Sequence, residues 1–176
     1  MYNWYTVKVK YTKEFRDGTL KRVTEPYLVN AASFTDAEAR IYEEVGEGIR
    51  GEFLVTSIAK TDFADIFAYD DSETWYKCKI VHTIEDADSG KEKKVNNNIL
   101  IAANNAKEAY ERAEESLKSM MTSYEIPNIS LTPLIEIFPL DTERYSDDEY
   151  AANHPVEEEE APRAQVNVAY NASEEE

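Results

Sequence analysis

The chain has 176 residues, and its 36 acidic residues outnumber its 19 basic residues to give a formal net charge of −17. Such a charge disfavours nucleic acid and anionic membranes as partners unless the basic residues are segregated from the acidic ones. The single cysteine, Cys78, excludes an intramolecular disulfide, and no apolar run approaches the roughly 18 residues of a membrane-spanning helix. We therefore expect a reduced, cytoplasmic protein with no signal peptide and no membrane partner.

Two similar stretches follow each other along the first 140 residues. The sequence WYTVKV at residues 4–9 returns as WYKCKI at residues 75–80, and matching turn, helix and strand patterns follow both copies in the same order. We interpret this pattern as a tandem duplication of a β-β-α-β unit, with repeats at residues 1–68 and 74–140. The predicted fold class is α+β, with an antiparallel sheet that carries its helices on one face.

The first repeat begins with a hairpin. Apolar and polar residues alternate along residues 4–11, as they do in a half-buried strand. Asp17 and Gly18 predict a tight turn into a second strand at residues 20–31. Pro26 lacks an N–H group, so it predicts an edge or a bulge at that point of the strand.

A helix and a third strand complete the first repeat. Thr35 and Glu38 have the spacing of a capping box, in which each side chain accepts a hydrogen bond from the backbone N–H of the other residue. The apolar stripe of this helix ends near Gly46. The third strand, at residues 52–60, is expected to run on through an apolar stretch that ends at Phe67.

The second repeat has the same order of patterns. Its helix is expected to begin at a variant capping box formed by Asn105 and Glu108 and to bury a stripe that ends at Met121. Its other predicted elements are a turn at Ser89-Gly90, a strand at residues 93–103, and a strand at residues 125–131 that runs on to Phe138.

The final segment, residues 141–176, holds 12 acidic and two basic residues and lacks the apolar periodicity of a packed element. We expect it to be a disordered acidic tail. Two interpretations stay open, because such a tail either keeps a protein in solution or docks as a peptide on a basic partner protein. The residues that would contact a partner are tyrosines and a run of glutamates: Tyr145, Tyr150, Glu157, Glu158, Glu159, Glu160 and Tyr170.

The opening WYxVKVKY, its echo WYKCKI and the acidic C-terminus resemble a small uncharacterised protein family of gut Bacteroidetes and their phages. The resemblance covers about residues 1–140. It implies a cytosolic protein associated with mobile elements, and it brings no catalytic or binding residues that can be transferred to this chain.

The sequence contains no motif that is typical of an enzyme. It has neither a GxxxxGK[ST] nor a GxGxxG phosphate loop, and it has no GxSxG nucleophile elbow. His82 and His154 are its only histidines. We place His82 on the outward side of a strand with Cys78 on the same face, about 13 Å away and too far for contact. We therefore predict a protein without catalytic residues and without a cofactor.

Acidic side chains are the only candidates for binding a metal ion. They are Asp62, Asp65, Asp70, Asp71 and Glu136, whose spacing matches no EF-hand loop. Clusters of carboxylates arise by chance in so acidic a chain, so we interpret these residues as a solvated edge and predict no metal site.

Basic residues and tryptophans are concentrated on the two predicted hairpins. Trp4 shares a strand face with two lysines, Trp75 does the same, and the partner strands add further bases. The residues of this candidate nucleic-acid-binding surface are Trp4, Lys8, Lys10, Lys21, Arg22, Trp75, Lys77, Lys79, Lys93 and Lys94.

An exposed sheet with aromatic rings and lysines is suited to single-stranded DNA or RNA, because the bases stack on the rings while lysines neutralise the phosphates. The same residues have a structural explanation, in which lysines protect an edge hairpin and buried tryptophans close the core. The functional hypothesis is therefore a non-enzymatic binding protein, and single-stranded nucleic acid is its first candidate ligand. The alternative is a protein–protein interaction module, or an acidic mimic of DNA that inhibits a basic protein.

Overall fold

The computed structural model, which describes residues 2–119 and 123–140, is a mixed α+β protein. Its described residues form two four-stranded sheets and two helices. In chain order the elements are β1 (Asn3–Glu14), β2 (Leu20–Ala31), α1 (Phe34–Gly46), β3 (Phe53–Lys60), β4 (Phe63–Phe67), β5 (Trp75–Glu85), β6 (Glu92–Ala102), α2 (Ala106–Leu117), β7 (Tyr124–Leu131) and β8 (Ile137–Phe138).

The described chain divides into two compact units. The first contains the residues up to Thr61 and the segment that begins at Pro133, and the second runs from Asp62 to Thr132. The first unit's sheet has the order β3-β1-β2-β8, and the second unit's sheet has the matching order β7-β5-β6-β4. In both sheets the first three strands are antiparallel, and the last strand is parallel to its neighbour.

These boundaries differ from those of the predicted repeats, and neither sheet is purely antiparallel as predicted. The apolar stretches that end at Phe67 and Phe138 do not prolong β3 and β7. Instead β4 joins β6 of the second unit, and β8 joins β2 of the first unit. Sequence periodicity shows that such a stretch is a strand, but it does not show which sheet the strand joins.

A threonine marks each place where the chain passes to the other unit. The N–H group and the hydroxyl of Thr61 both donate to the carbonyl oxygen of Trp4, at 2.8 and 3.1 Å. Thr132 makes the same two bonds to the carbonyl oxygen of Trp75, at 2.9 and 2.8 Å. These bonds attach the end of β3 to β1 and the end of β7 to β5, just before the chain enters the other unit.

Pro26 lies where β2 has no strand partner on its outer side, which agrees with the predicted edge, and the pairing with β1 shows no bulge there. It pairs in regular register with Lys8, and its carbonyl oxygen accepts a bond from Ile135 at 2.9 Å. The N–H of Leu28, two residues later, donates toward the β8 side. An N–H group at position 26 would point to that same side. Because β8 pairs there only with Leu28 and Val29, the proline costs the sheet no hydrogen bond.

The two helices begin in the same way. The predicted N-cap Thr35 is wrong, because the side chain of Ser33 accepts the bond from the N–H of Asp36 at 3.1 Å. The predicted N-cap Asn105 is confirmed, since its side chain accepts from the N–H of Glu108 at 3.0 Å. The N-cap of α1 is therefore the serine two residues before the predicted threonine.

The second helix is also shorter than predicted. It ends at Leu117, where the C-cap Lys118 follows, and Met121 lies outside the described residues. Each helix packs on one face of its own sheet. The core of the first unit includes Val7, Val29 and Ile41, and that of the second includes Ile80 and Ile101.

One arginine on each helix holds the segment that borders the exchanged strand. Arg40 donates to the carbonyl oxygens of Asn30 and Pro139 and pairs with Glu44 at 3.2 Å. Its side chain is almost fully buried. The segment that follows β8 is therefore tied to both β2 and α1 of the first unit.

Arg112 has the same position on α2. It donates to the carbonyl oxygen of Ala102 at 2.6 Å and to the hydroxyl of Ser72 at 3.1 Å. It also pairs with Asp71 and Glu108, both at 2.7 Å. The segment that follows β4 is thereby tied to β6 and α2.

Candidate binding surface

Both tryptophans of the predicted surface are buried, so the expectation that they offer exposed rings is wrong. Trp4 is 6% exposed and Trp75 is 9% exposed. Trp4 lies opposite Asn30 in the β1–β2 ladder, and both Asn30 and Leu28 on this face are buried as well. A ring in such surroundings packs against protein and cannot stack on a nucleic acid base.

Three of the predicted basic residues share the sheet face of the first unit that lies opposite α1. Lys8 stands across from Pro26, Lys10 from Thr24, and Arg22 from Thr12. Directly paired residues project to the same side of a sheet, so the three side chains form one row of neighbours. Lys8 and Arg22 are exposed and Lys10 is half-buried. We call Lys8, Lys10 and Arg22 the basic face.

The charges of the basic face are not neutralised by the sheet that carries it. Within the described part of the chain, none of its three cations forms an ion pair. The described strands of this unit carry one acidic residue on the same side of the sheet, Glu14 at the far end of β1. The face therefore presents an excess of positive charge in a strongly acidic chain.

The predicted pairs of adjacent bases are split between two faces, because successive residues of a strand point to opposite sides. Lys21 lies across from Lys13 on the α1 side of the sheet, and its Nζ is 5.5 Å from the centroid of the Phe15 ring. Lys93 lies across from Ile84 on the α2 side of the second sheet, whereas Lys94 lies on the other side. Lys21 and Lys93 thus do not belong to the faces predicted for them.

The equivalent face of the second unit carries Lys77, Lys79 and Lys94, but its charge is balanced. Three carboxylates share this side of the sheet, since Glu85 and Glu92 face each other and Glu125 lies across from Val81. The Nζ atom of Lys77 lies 5.9 Å from the centroid of the Phe63 ring. This face is a poorer site for an anion than the basic face.

The end of the first hairpin carries an exposed aromatic ring that sequence reasoning missed. Phe15 is 40% exposed and forms part of an open hollow with residues 13–17. The turn has the predicted glycine, since Gly18 has a φ of 78°. An apolar residue beside an Asp-Gly turn is the signal that would have identified this ring.

A second missed feature neutralises Lys13. The carboxylate of Glu25 accepts bonds from Tyr11 at 2.6 Å, from Lys13 at 2.7 Å and from Tyr27 at 3.2 Å. Burial opposes ionisation of Glu25, but the bonds from Lys13 and Tyr11 outweigh it and lower the pKa of this carboxyl group. Burial and the bond to Glu25 raise the pKa of Tyr11. Lys13 is therefore engaged on the α1 side of the sheet and adds nothing to the basic face.

Cys78 and His82 lie on the core side of β5, so their predicted outward orientation is wrong. Cys78 is fully buried, and burial raises the pKa of its thiol to about 11. His82 lies between Val95 and Tyr124 of the neighbouring strands, and its Nδ1 atom has no partner among the described residues. A thiol with so high a pKa is a poor nucleophile at neutral pH.

The candidate carboxylates are dispersed. Asp62 accepts a bond from Asn98 at 3.0 Å, and Asp71 pairs with Arg112. Burial raises the pKa of Asp65. Over residues 2–119 and 123–140, no three His, Cys, Asp or Glu residues are placed to hold a metal ion.

The sequence matches a family of proteins that share a domain of unknown function, DUF4494, over residues 3–140. The chain belongs to the DUF4494 family. No curated protein matches it significantly. The DUF4494 match begins with β1 and ends two residues after β8, so the domain of this family comprises both units together with their exchanged strands.

The predicted partner-binding residues of the tail, Tyr145, Tyr150, Glu157, Glu158, Glu159, Glu160 and Tyr170, lie outside the described residues and beyond the DUF4494 match. Among the helices that the structure describes, none is long and apolar enough to cross a membrane.

Proposed function

We propose that this DUF4494 protein is a non-enzymatic binding protein whose basic face contacts the phosphates of single-stranded nucleic acid. The observation that carries the proposal is the row of Lys8, Lys10 and Arg22, which lacks ion-pair partners among the described residues although the chain has a net charge of −17. Unpaired cations that converge on one face of an acidic protein favour an anionic ligand.

The affinity of such a surface comes from phosphates and not from the tryptophans. Each phosphate that a lysine or arginine neutralises releases counterions, and this release drives binding at low salt. The exposed ring of Phe15 lies at the end of the same hairpin but outside the basic face, with the Nζ atom of Lys21 5.5 Å from its centroid, and it is an aromatic group that could stack on a base there. A ligand with several phosphates and accessible bases therefore fits this hairpin better than a small anion does.

A second function, binding of a partner protein, is supported by a different part of the first unit. Phe34 and Tyr42 on α1 are large aromatic side chains that are exposed. Rings on this side contact each other, with 4.8 Å between the centroids of Tyr42 and Phe53. Exposed apolar side chains that lie near each other mark protein-interaction sites. Inhibition of a basic protein by DNA mimicry is a variant of this proposal, supported by the overall charge.

Fluorescence anisotropy of a labelled oligo-dT, titrated at several salt concentrations, tests the first proposal. Neutralisation of three phosphates predicts a slope of log K against log salt of about −2, at roughly −0.7 per phosphate of single-stranded DNA. The variant Lys8→Ala/Lys10→Ala/Arg22→Ala is expected to lose most of this slope. The matched control Lys77→Ala/Lys79→Ala/Lys94→Ala removes the same charge from the second unit and is expected to retain it.

Absence of binding at 50 mM salt, or equal losses in the two triple variants, would overturn the assignment of the basic face. A labelled oligo-U in a parallel titration shows whether RNA is preferred to DNA.

We also propose that the two units arose by tandem duplication. They share their strand order, their exchanged fourth strand, their Thr–Trp hydrogen bonds and their helix arginines. A cytoplasmic location and an origin in gut Bacteroidetes or their phages stay predictions.

A further inference from the structure

We propose that the basic face has an intramolecular ligand, the acidic C-terminal segment of the same chain, which docks through Glu157–Glu160. The docking itself does not require nucleic acid. Its consequence, competition with a bound strand, rests on the proposed function.

The direction of β8 fixes where this segment begins. Ile137 and Phe138 pair in parallel with Leu28 and Val29, so the chain runs beside β2 toward the end of that strand at Ala31. Leu140, the last described residue, follows two positions later. The C-terminal segment therefore starts from the first unit, at the same sheet that carries the basic face.

The segment is long enough to reach the basic face. Lys8 lies opposite Pro26, five positions before Ala31, and Arg22 lies nine positions before it. These positions are about 15–30 Å from the end of β2 at 3.3 Å per strand residue. Glu157 follows Leu140 by 17 residues, which span up to about 60 Å when extended.

Charge selects the basic face over its counterpart. Residues 141–176 hold 12 acidic and two basic residues. The basic face offers three cations that have no described ion-pair partner, and one carboxylate, Glu14, shares its side of the strands. On the second unit the three cations share their face with Glu85, Glu92 and Glu125. An acidic segment is thus attracted to the first face and little attracted to the second.

A spin label beside the glutamate run tests the docking in the full-length chain. In the variant Ala161→Cys the new thiol reacts selectively with a nitroxide reagent, because the native Cys78 is fully buried. We expect the nitroxide to broaden the NMR signals of the Lys8, Lys10 and Arg22 amides at low salt. The amides of Lys77, Lys79 and Lys94 serve as the matched control and are expected to be unaffected.

The docking that brings the nitroxide close is electrostatic. We therefore expect the broadening to disappear at 1 M salt, where the Debye length falls to about 3 Å. It should also disappear when Glu157, Glu158, Glu159 and Glu160 are replaced by glutamine. Equal broadening on both faces, or none at low salt, overturns the proposal. Broadening of an isotope-labelled chain by a separate spin-labelled chain overturns the intramolecular assignment and indicates docking on a second copy.

The oligo-dT titration then tests the competition. If the segment occupies the basic face at least half of the time, the four glutamine substitutions should tighten binding at least about twofold. The control Glu43→Gln/Glu111→Gln/Glu114→Gln/Glu115→Gln removes the same charge from the helices and should not reproduce that gain.

The two proposals fail separately. Broadening without oligonucleotide binding leaves the docking intact and removes the proposed function. Binding without broadening retains the function and removes the docking.

Discussion

The two units have sheets of one strand order, yet the faces opposite their helices carry different charges. In the first unit Lys8, Lys10 and Arg22 share their side with one carboxylate, whereas in the second three lysines are balanced by three carboxylates. Residues that close the sheet edge or hold the exchanged strand have counterparts in both units. The architecture thus constrains those positions and leaves the exposed face free to differ, which makes that face the place to look for function.

Replacing the helix arginines is expected to give the largest loss of stability, and the size of the loss should differ between the two units. Arg40→Ala leaves the carbonyl oxygens of Asn30 and Pro139 without their donors in buried surroundings, so we expect the free energy of unfolding to fall by about 3 kcal/mol. Arg112→Ala should remove about 2 kcal/mol, because the Arg112 side chain is more exposed. Urea unfolding measures both, and Lys107→Ala is the exposed control.

Arg40→Lys should rescue little, since an ammonium group cannot reach both carbonyl oxygens in the geometry of a guanidinium group. If Arg40→Ala destabilised the protein no more than Lys107→Ala does, the role given to Arg40 in holding the segment after β8 would be wrong.

The helix N-caps sharpen the correspondence of the two helices at the level of single residues. Ser33→Ala and Asn105→Ala should each lower the free energy of unfolding by about 1 kcal/mol, because each leaves a backbone N–H of the first turn without its acceptor. Thr35→Ala should change it by less than about 0.5 kcal/mol, since Thr35 is exposed and is not the cap. A larger loss for Thr35→Ala than for Ser33→Ala would contradict the observed start of α1.

The sequence predicts local features of this fold better than contacts between distant parts of the chain. Strand alternation and turn glycines placed most elements within a few residues, because these signals are local. The partner of an exchanged strand such as β4 depends on contacts far along the chain, and burial of Trp4 depends on what covers its face. Alternation along the second strand separates Lys21 from Arg22, whereas Phe15 precedes a turn and belongs to no periodic pattern that would predict its exposure.

The threonines at the two crossings should respond alike if the units are equivalent there. Thr61→Val and Thr132→Val each remove a hydroxyl that donates to a tryptophan carbonyl oxygen, and each should lower the free energy of unfolding by up to about 1 kcal/mol. The backbone N–H bond to the same oxygen stays in place, which limits the loss. A loss confined to one variant would show that the crossings differ in strength.

The carboxylate of Glu25 distinguishes the two units by pH. Its position in the second unit is held by Asn97, which lies opposite Ile80 as Glu25 lies opposite Val9. Because the pKa of Glu25 is lower in the folded protein, its stabilising contribution is present above the unfolded-state pKa and is lost as pH falls through the folded-state pKa. Glu25→Gln should therefore weaken the loss of stability below about pH 4.5. The same pH dependence of urea unfolding in Glu25→Gln and the native protein would contradict this role.

Truncation after Leu140 has the smallest expected effect and tests where the first unit ends. The contacts that hold β8 in place all involve residues before this point. They are its two residue pairs with β2, the stacking of the Phe138 ring on that of Tyr27 at 5.9 Å between centroids, and the bond from Arg40 to the carbonyl oxygen of Pro139. The free energy of unfolding should thus change by less than about 0.5 kcal/mol. Truncation after Thr132 is the contrasting variant, because it removes β8 and leaves Leu28 without its bond to Glu136, so it should destabilise the first unit strongly. Equal stability of the two truncated chains would mean that β8 contributes nothing to the sheet, whereas a large loss on truncation after Leu140 would extend the folded unit beyond that residue.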